Sequence, residues 1–345
     1  MDTESALDLV SIPGYYYHDP AVLQRELAIL WHGFWQLVGR VEDLAAPGDY
    51  LACQVGEQRV LLVRDEAGQL RGFHNVCAHR GMALAEGRGQ TRRFQCPYHG
   101  WTYGLDGGLR AVPHRKQIPC LDMGAVHLTG VQVDTWGGFV FVKLTDDGES
   151  LADFLGSMKA RWETYHDDWW ALREVRRLAF HEPFNWKLFM ENSVDYYHIP
   201  FIHPETLELP PVVRNQPTGW HFGLTSVSPE EAYERFFDLL FPNAYFHVGP
   251  SKVQWFRVTP VSPGACHIEI RLYQTPAQAR AYPINDDNKH RDIARILEED
   301  FRICRVLQGQ TLSPSFRIRY SARDLEEGVA HFGRTLMGVI PEGAW

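Results

Sequence analysis

Cys77-Ala78-His79 and Cys96-Pro97-Tyr98-His99 each bring a thiol and an imidazole close together along the chain, and sixteen residues separate His79 from Cys96. A glycine follows each histidine closely, Gly81 in one segment and Gly100 in the other. Two thiolates on one iron and two neutral imidazoles on a second fit a [2Fe–2S] cluster. The imidazoles remove negative charge and raise its potential to roughly −150 to +300 mV. Such a centre accepts and passes on single electrons. Two Cys and two His also suit a structural zinc ion. Zinc modules usually group like ligands, however, whereas each half here is a mixed pair.

A second constellation lies in the run from Asn185 to Pro204. On a helix over 186–198, steps of three and four put Leu188, Asn192, Asp195, His198 and Ile199 on one face. Polar groups on an inward face are costly unless they are paired or bound. Pro200 and Pro204 stop the helix, so His203 must return from a turn to join His198. A lone buried histidine is usually a satisfied core residue. A pair with a carboxylate one turn away also fits a metal site, and two imidazoles plus a carboxylate make the facial triad of non-haem Fe(II), with positions left open for O₂. A helix expected at 288–309 offers Asp300, inside an apolar stripe of Ile293, Ile296, Leu297, Phe301, Cys304 and Leu307. Glu298 and Glu299 lie off that stripe and read as a solvated face. Without a cation nearby Asp300 would carry a large desolvation cost, and a buried salt bridge is its alternative role.

The elements that position these groups follow from composition and pattern. A chain of 345 residues can hold two domains and a substantial core. Its 43 acidic and 34 basic residues give a net charge of −9 without a Lys/Arg block, which argues against nucleic acid or an anionic membrane as partner. No apolar stretch reaches the ~18–20 residues of a membrane span. Asp2, Glu4 and Asp8 without a basic residue argue against a signal peptide. Cys53, Cys120, Cys266 and Cys304 show no disulfide spacing, so a cytoplasmic protein is expected.

Arg59–Arg64 and Val131–Val142 read as strands of a small β-domain, with turns at Gly68, Gly107-Gly108 and Gly137-Gly138. Residues 21–36 read as an amphipathic helix. The expected plan is an N-terminal helical segment over 1–37 packing on the catalytic domain, a cluster domain over 38–146 and an iron domain over 147–345. In the last, a loop-rich span runs to about 240, strands lie near 244–248, 253–261 and 267–275, and 274–290 is a surface connection. The fold class is α+β: an all-β cluster domain beside an antiparallel sheet flanked by helices.

Together the two constellations resemble the large, oxygenase subunit of the Rieske non-haem iron oxygenases of the ring-hydroxylating type. Trp35 to Arg40 is similar to that family's entry segment. Asn185-Trp186-Lys187, Glu191-Asn192 and Asp195-x2-His198-x4-His203 are similar to its iron motif, and Glu298-Glu299-Asp300 with Cys304 and Gln308 to the helix bearing its last ligand. The resemblance implies Cys77, His79, Cys96 and His99 as cluster ligands and His198, His203 and Asp300 as ligands of a mononuclear Fe(II). It implies a head-to-tail homotrimer in which Asp195 bridges His99 of one subunit to His198 of the next, with Asn192 lining the iron site. It also implies oxygenation with O₂ and electrons from a separate reductase, with or without a ferredoxin, since no G-x-G-x-x-G motif is present.

Tyr197, Phe201, Ile202, Leu207 and Trp220 are the expected pocket wall, and their apolar surface favours a flat aromatic substrate and hence a role in aromatic hydrocarbon catabolism. Arg214 and Arg257 are candidates for holding an acid group on such a ring. The alternative is a monooxygenase or demethylase of a quaternary ammonium or N-/O-methyl compound, with Tyr196 and Tyr197 offering ring faces to a cation. A non-catalytic Rieske electron-transfer protein would leave the second constellation unexplained.

Overall fold

The structure, a computed structural model, describes residues 11–165, 168–210, 212–227, 234–284, 293–317, 320–322 and 324–343. The chain forms two compact units. One runs from Leu27 to Phe154; the other joins the residues before Leu27 to those from Leu155 onward. The expected divisions lay at 37/38 and 146/147. The predicted helix over 21–36 is also interrupted, because α1 covers Pro20–Glu26, a π-helical turn takes Leu27–Trp31, and Gln36 already belongs to a strand. Gly56, in the left-handed region at φ +55°, lies against this turn. A side chain there would meet Trp31 Cβ at 3.0 Å and Leu27 Cδ2 at 3.2 Å, so only glycine lets this segment lie on the turn.

The first unit holds ten strands: β1 Gln36–Arg40, β2 Asp49–Val55, β3 Gln58–Arg64, β4 Leu70–His74, β5 Arg88–Gln90, β6 Phe94–Gln95, β7 Thr102–Tyr103, β8 Leu109–Ala111, β9 Gly130–Trp136 and β10 Phe139–Lys143. Seven form a sheet ordered β1-β10-β9-β4-β3-β2-β5, and β6-β7-β8 form a small second sheet. Val60-Leu61-Leu62-Val63 is wholly buried, so this strand reads as a continuous apolar run rather than an alternating one. Leu61, Val63, Phe73, Phe94, Tyr103 and Leu109 build one core with Cys77 and Cys96.

From Leu151 to Glu163 runs α2, which kinks at Gly156. The second unit then contributes β11 Arg173–Glu182, α3 Trp186–Ser193, α4 Ile199–Ile202, β12 Val212–Thr218, β13 His221–Val227, β14 Glu234–Leu240, β15 Ala244–Gly249, β16 Lys252–Ser262, β17 Ala265–Gln274, α5 Pro276–Ala281, α6 Ile293–Gln310 and α7 Glu327–Val339. Among the described residues its seven strands make one antiparallel sheet ordered β11-β17-β16-β15-β14-β13-β12. The span expected to be loop-rich up to 240 therefore carries β12, β13 and β14. Gly219 and Pro217 suggest breaks, but β13 is buried along nearly its whole length, so it lacks the period-2 signal of a half-exposed strand. Part of the expected surface connection is helix, with Thr275 and Gln278 forming a capping box on α5; residues 285–290 lie outside the described residues. The start of the late helix expected at 288 likewise lies outside them up to 292. Among the described residues no helix is long and apolar enough to cross a membrane.

Candidate metal centres

Two loops in the first unit repeat one another. Cys77 N–H donates to Met82 O (2.9 Å) and Cys96 N–H to Trp101 O (2.8 Å), in each case five residues on. Gly81 N–H donates to Cys77 O and Gly100 N–H to Cys96 O, both at 2.9 Å, and both glycines have positive φ, +75° and +70°. The left-handed conformation lets each loop turn tightly behind its histidine, which explains the glycine after each pair. Both thiols are buried, whereas His79 and His99 are exposed, with ring centroids 4.6 Å apart. Trp101 stacks on His79 at 4.9 Å, and the Tyr103 hydroxyl lies 3.3 Å from Cys77 Sγ. Buried sulfur donors beneath exposed imidazoles suit a two-iron cluster whose outer iron carries the histidines. Zinc fits less well. Among the described residues, the group of three or more Cys, His, Asp and Glu donors closing to within 4.8 Å is His198, His203 and Asp300, not these four.

That triad is assembled in the second unit. Asn185 caps α3: its Oδ1 accepts from Lys187 N–H (3.0 Å) and its Nδ2 donates to Pro263 O (2.7 Å). Gln308, near the end of α6, accepts from Asn185 N–H at 2.7 Å, which ties the two helices together. The helix expected over 186–198 stops at Ser193, with Val194 as its C-cap. Asp195 then acts as a turn residue, Oδ1 accepting from Tyr197 N–H (2.7 Å) and His198 N–H (3.2 Å). His203 follows as the C-cap of α4; the prolines do not end the preceding helix, which stops at Ser193, and Pro200 instead sits in the first turn of α4, where its missing N–H costs nothing. His198 Nε2 and His203 Nε2 lie 3.2 Å apart, and Asp300 Oδ1 stands 3.4 Å from the first and 2.9 Å from the second.

Two imidazole nitrogens aimed at each other and at one carboxylate oxygen present converging lone pairs, which a cation satisfies better than hydrogen bonds can. Burial disfavours charge on His198, but Asp195 and Asp300 outweigh it and raise the histidine to about 9. His203 is raised too, against its burial, by Asp300 and Glu299. Asp195 Oδ2 is 3.5 Å from His198 Nδ1. Asn192 Nδ2 donates to Asp300 Oδ1 at 3.1 Å and lies 3.3 Å from His198 Nε2, so Asn192 does reach the centre although the helix behind it is shorter than expected.

Glu299 corrects the sequence expectation. It is not on a solvated face: its Oε2 lies 2.8 Å from His203 Nδ1 and accepts from Thr206 Oγ1 at 2.5 Å. The apolar stripe carries no sign of this role, because His203 comes from a separate segment beside the flank of α6. Glu298 does face outward and pairs with Arg305 at 2.6 Å.

The expected pocket residues lie mostly at the surface of this unit. Tyr197, Phe201, Leu207 and Trp220 are exposed, Phe201 at 71%, and Ile202 is half-buried. Phe201 and Ile202 line a groove with Glu205, Arg295, Arg302 and Glu299, the last of which also reaches His203. Trp220 stacks near Phe241 at 6.4 Å. Arg214 pairs with Glu234 and Arg257 with Glu269, so each guanidinium already has a carboxylate.

Residues 34–122 match the Rieske [2Fe-2S] domain model, and residues 168–228 and 221–342 match that of the ring hydroxylating alpha subunit (catalytic domain). Choline monooxygenase of Spinacia oleracea is 27% identical over 351 residues, which covers 93% of this chain and 76% of the relative. The glycine betaine monooxygenase oxygenase subunit of Chromohalobacter salexigens is 36% identical over 198 residues, covering 57% of this chain and 44% of that one. The quaternary ammonium Rieske monooxygenase CntA bound to γ-butyrobetaine superposes with a TM-score of 0.85 at 22% identity, over 96% of each chain. Naphthalene 1,2-dioxygenase does so at 0.83 and 19%, over 99% of this chain and 94% of that one. The chain belongs to the Rieske non-haem iron oxygenases of the ring-hydroxylating alpha-subunit family, oxidoreductases whose cofactors are a Rieske [2Fe–2S] cluster and a mononuclear iron.

Proposed function

We propose that the chain is the terminal oxygenase of a multicomponent monooxygenase acting on a small quaternary ammonium compound. In this reading Cys77, His79, Cys96 and His99 hold the cluster, and His198, His203 and Asp300 hold the mononuclear iron. The bound iron supplies O₂ activation, and the cluster supplies electrons one at a time. In balance, one oxygen atom enters a substrate C–H bond and the other leaves as water, with two electrons and two protons consumed. A reductase, directly or through a ferredoxin, provides the electrons. The free cysteines suit a reducing compartment such as the cytoplasm.

The observation that carries the substrate class is the match of choline monooxygenases across most of the chain, and a run of packed aromatic rings that starts beside Asp195 and ends beside Asp300 is consistent with it. The run begins at Tyr196, next to Asp195, and passes to Phe237 (5.6 Å between centroids), Tyr245 (6.4 Å) and Phe256 (4.8 Å). It continues to Phe189 (5.7 Å) and ends at Phe301 (5.4 Å), next to Asp300. Ring faces attract a quaternary ammonium cation without needing a counter-charge. The expectation of aromatic hydrocarbon catabolism gives way here, because choline monooxygenases match across most of the chain, whereas the naphthalene enzyme shares the fold alone.

The test is oxygen uptake with a generic reductase across choline, glycine betaine, carnitine, neutral arenes and aromatic acids. Coupled uptake with one or more quaternary ammonium compounds is expected. Coupled uptake with arenes alone would overturn the assignment.

The working unit we infer is a homotrimer in which Asp195 stands between its own His198 and His99 of the partner subunit. Its position behind His198 supports this, as does the exposure of His99. Asp195→Asn and Asp195→Ala are expected to keep both metals while losing most coupled turnover. Full turnover in either variant rules the bridge out, and light scattering that gives a monomer rules out the trimer.

A further inference from the structure

Both nitrogens of His203 are held by consecutive residues of α6. Glu299 Oε2 lies 2.8 Å from Nδ1, and Asp300 Oδ1 lies 2.9 Å from Nε2. The ring is 1% exposed, so water has no access with which to replace either partner. Thr206 Oγ1 donates to the same Glu299 oxygen at 2.5 Å, and Arg295 Nε lies 3.4 Å from the other. Arg295 itself has a closer partner in Glu205 at 2.6 Å, so a surface ion pair does not account for where Glu299 points. The neighbouring Glu298, of the same charge and on the same helix, turns away to Arg305.

The geometry points to Glu299 as a positioning residue. It accepts the Nδ1 proton of His203, fixes the tautomer that leaves the Nε2 lone pair facing His198 and Asp300, and locks the ring's rotation. The physical reason is general: a carboxylate behind a ligating imidazole sets the tautomer, orients the ring and raises its basicity. The two rings of this centre are supported unequally: Glu299, on α6, lies within hydrogen-bond reach of His203 Nδ1 at 2.8 Å, whereas Asp195, in the turn between α3 and α4, stands 3.5 Å from a His198 Nδ1 that makes no hydrogen bond. The inference rests on His203 being an iron ligand.

The experiment compares Glu299→Ala, Glu299→Gln, Thr206→Val, Glu298→Ala and His203→Ala in the full chain. Ferrous iron is titrated into protein freed of its mononuclear iron, and the electron paramagnetic resonance of the nitric oxide-treated ferrous protein is recorded. The reduced-cluster spectrum serves as a check on folding. Glu299→Ala is expected to weaken iron binding roughly 10–100-fold and to change the nitric oxide signal. Glu299→Gln, whose side-chain carbonyl still accepts from Nδ1, should restore most of the affinity and the wild-type line shape. Thr206→Val should show a smaller loss, and Glu298→Ala none. Wild-type affinity and line shape in Glu299→Ala overturns the inference, as does Glu299→Gln behaving no better than Glu299→Ala. If Glu299→Ala fails to fold, Thr206→Val with unchanged affinity and signal overturns it. His203→Ala separates the two levels: full iron affinity there sinks the ligand reading itself, whereas its loss alongside an unaffected Glu299→Ala sinks only the positioning role.

Discussion

Lys187 is fully buried, and its ammonium donates to Glu26 Oε1 at 2.6 Å while Trp186 Nε1 donates to Oε2 of the same carboxylate at 2.8 Å. Beside this pair the Tyr17 hydroxyl donates to Glu191 at 2.8 Å, and burial pushes that carboxyl up to about 7. These contacts anchor α3, which carries Asn192 and leads into Asp195 and His198. Removing one partner leaves an uncompensated buried charge, so Lys187→Met should cost about 3–5 kcal/mol, and pairing it with Glu26→Gln should recover much of that. Urea unfolding of the single and double variants decides it; a single variant within 1 kcal/mol of the parent would contradict the argument. At the metal, Asp300→Ala should lose the mononuclear iron and oxygen uptake while the Rieske absorption stays, and retained iron would remove Asp300 from the ligand set. Asp300 was legible in the sequence because it interrupts an apolar stripe at helical spacing. Glu299, one step off that stripe, was not, since its partner arrives from a different element and periodicity reports only a helix's own faces.

Strands and helices differ in how plainly they are written. β3, β9, β10, β15, β16 and β17 are legible because apolar or alternating runs end at glycine and proline turns. β11 is hidden by five charged residues among its ten, which make it look like a polar linker although it pairs along its length with β17. The helix carrying Asn192 is shorter than its spacing implies: Asp195 fits a helical face by spacing, yet its side chain accepts backbone N–H groups and favours a turn. On β17, Glu269 accepts from Arg271 Nε at 2.8 Å and Arg257 NH2 at 2.9 Å. Burial alone would raise this carboxyl, but Arg257 and Arg271 outweigh it and hold it at about 2. Its folded pKa is below the ordinary value of about 4.3, so the unfolded chain binds more protons between them. The stabilisation is therefore present above pH ~4.3 and lost as pH falls towards ~2. The stability gap between the parent and Glu269→Gln should narrow as pH drops from about 5.5 to 3.5, a window that straddles the ordinary value. A constant gap in denaturant unfolding across that range would show that Glu269 does not titrate this way.

At the scale of the whole chain, two units with their own cores each carry one set of metal donors, and the sets differ in kind. The thiols proposed for the cluster, Cys77 and Cys96, are buried in a core with Phe73, Tyr103 and Leu109, whereas the proposed mononuclear set is two imidazoles and a carboxylate, and His198 and Asp300 are partly open. Thiolate ligands under a packed core release metal slowly, while a ferrous ion on nitrogen and oxygen donors exchanges readily. A brief anaerobic treatment with a ferrous chelator should therefore lower the content from about three irons per chain to about two, with the Rieske absorption intact and oxygen uptake gone. Adding back ferrous iron should restore uptake. The complementary variant, Cys96→Ala, should lose the cluster and its colour yet retain about one iron per chain, because the second unit's sheet and α6 do not depend on the thiol. Bleaching of the cluster at the same rate as the loss of uptake would show that the two centres are not held independently. Uptake that survives chelation at two irons per chain would place the chemistry away from His198, His203 and Asp300.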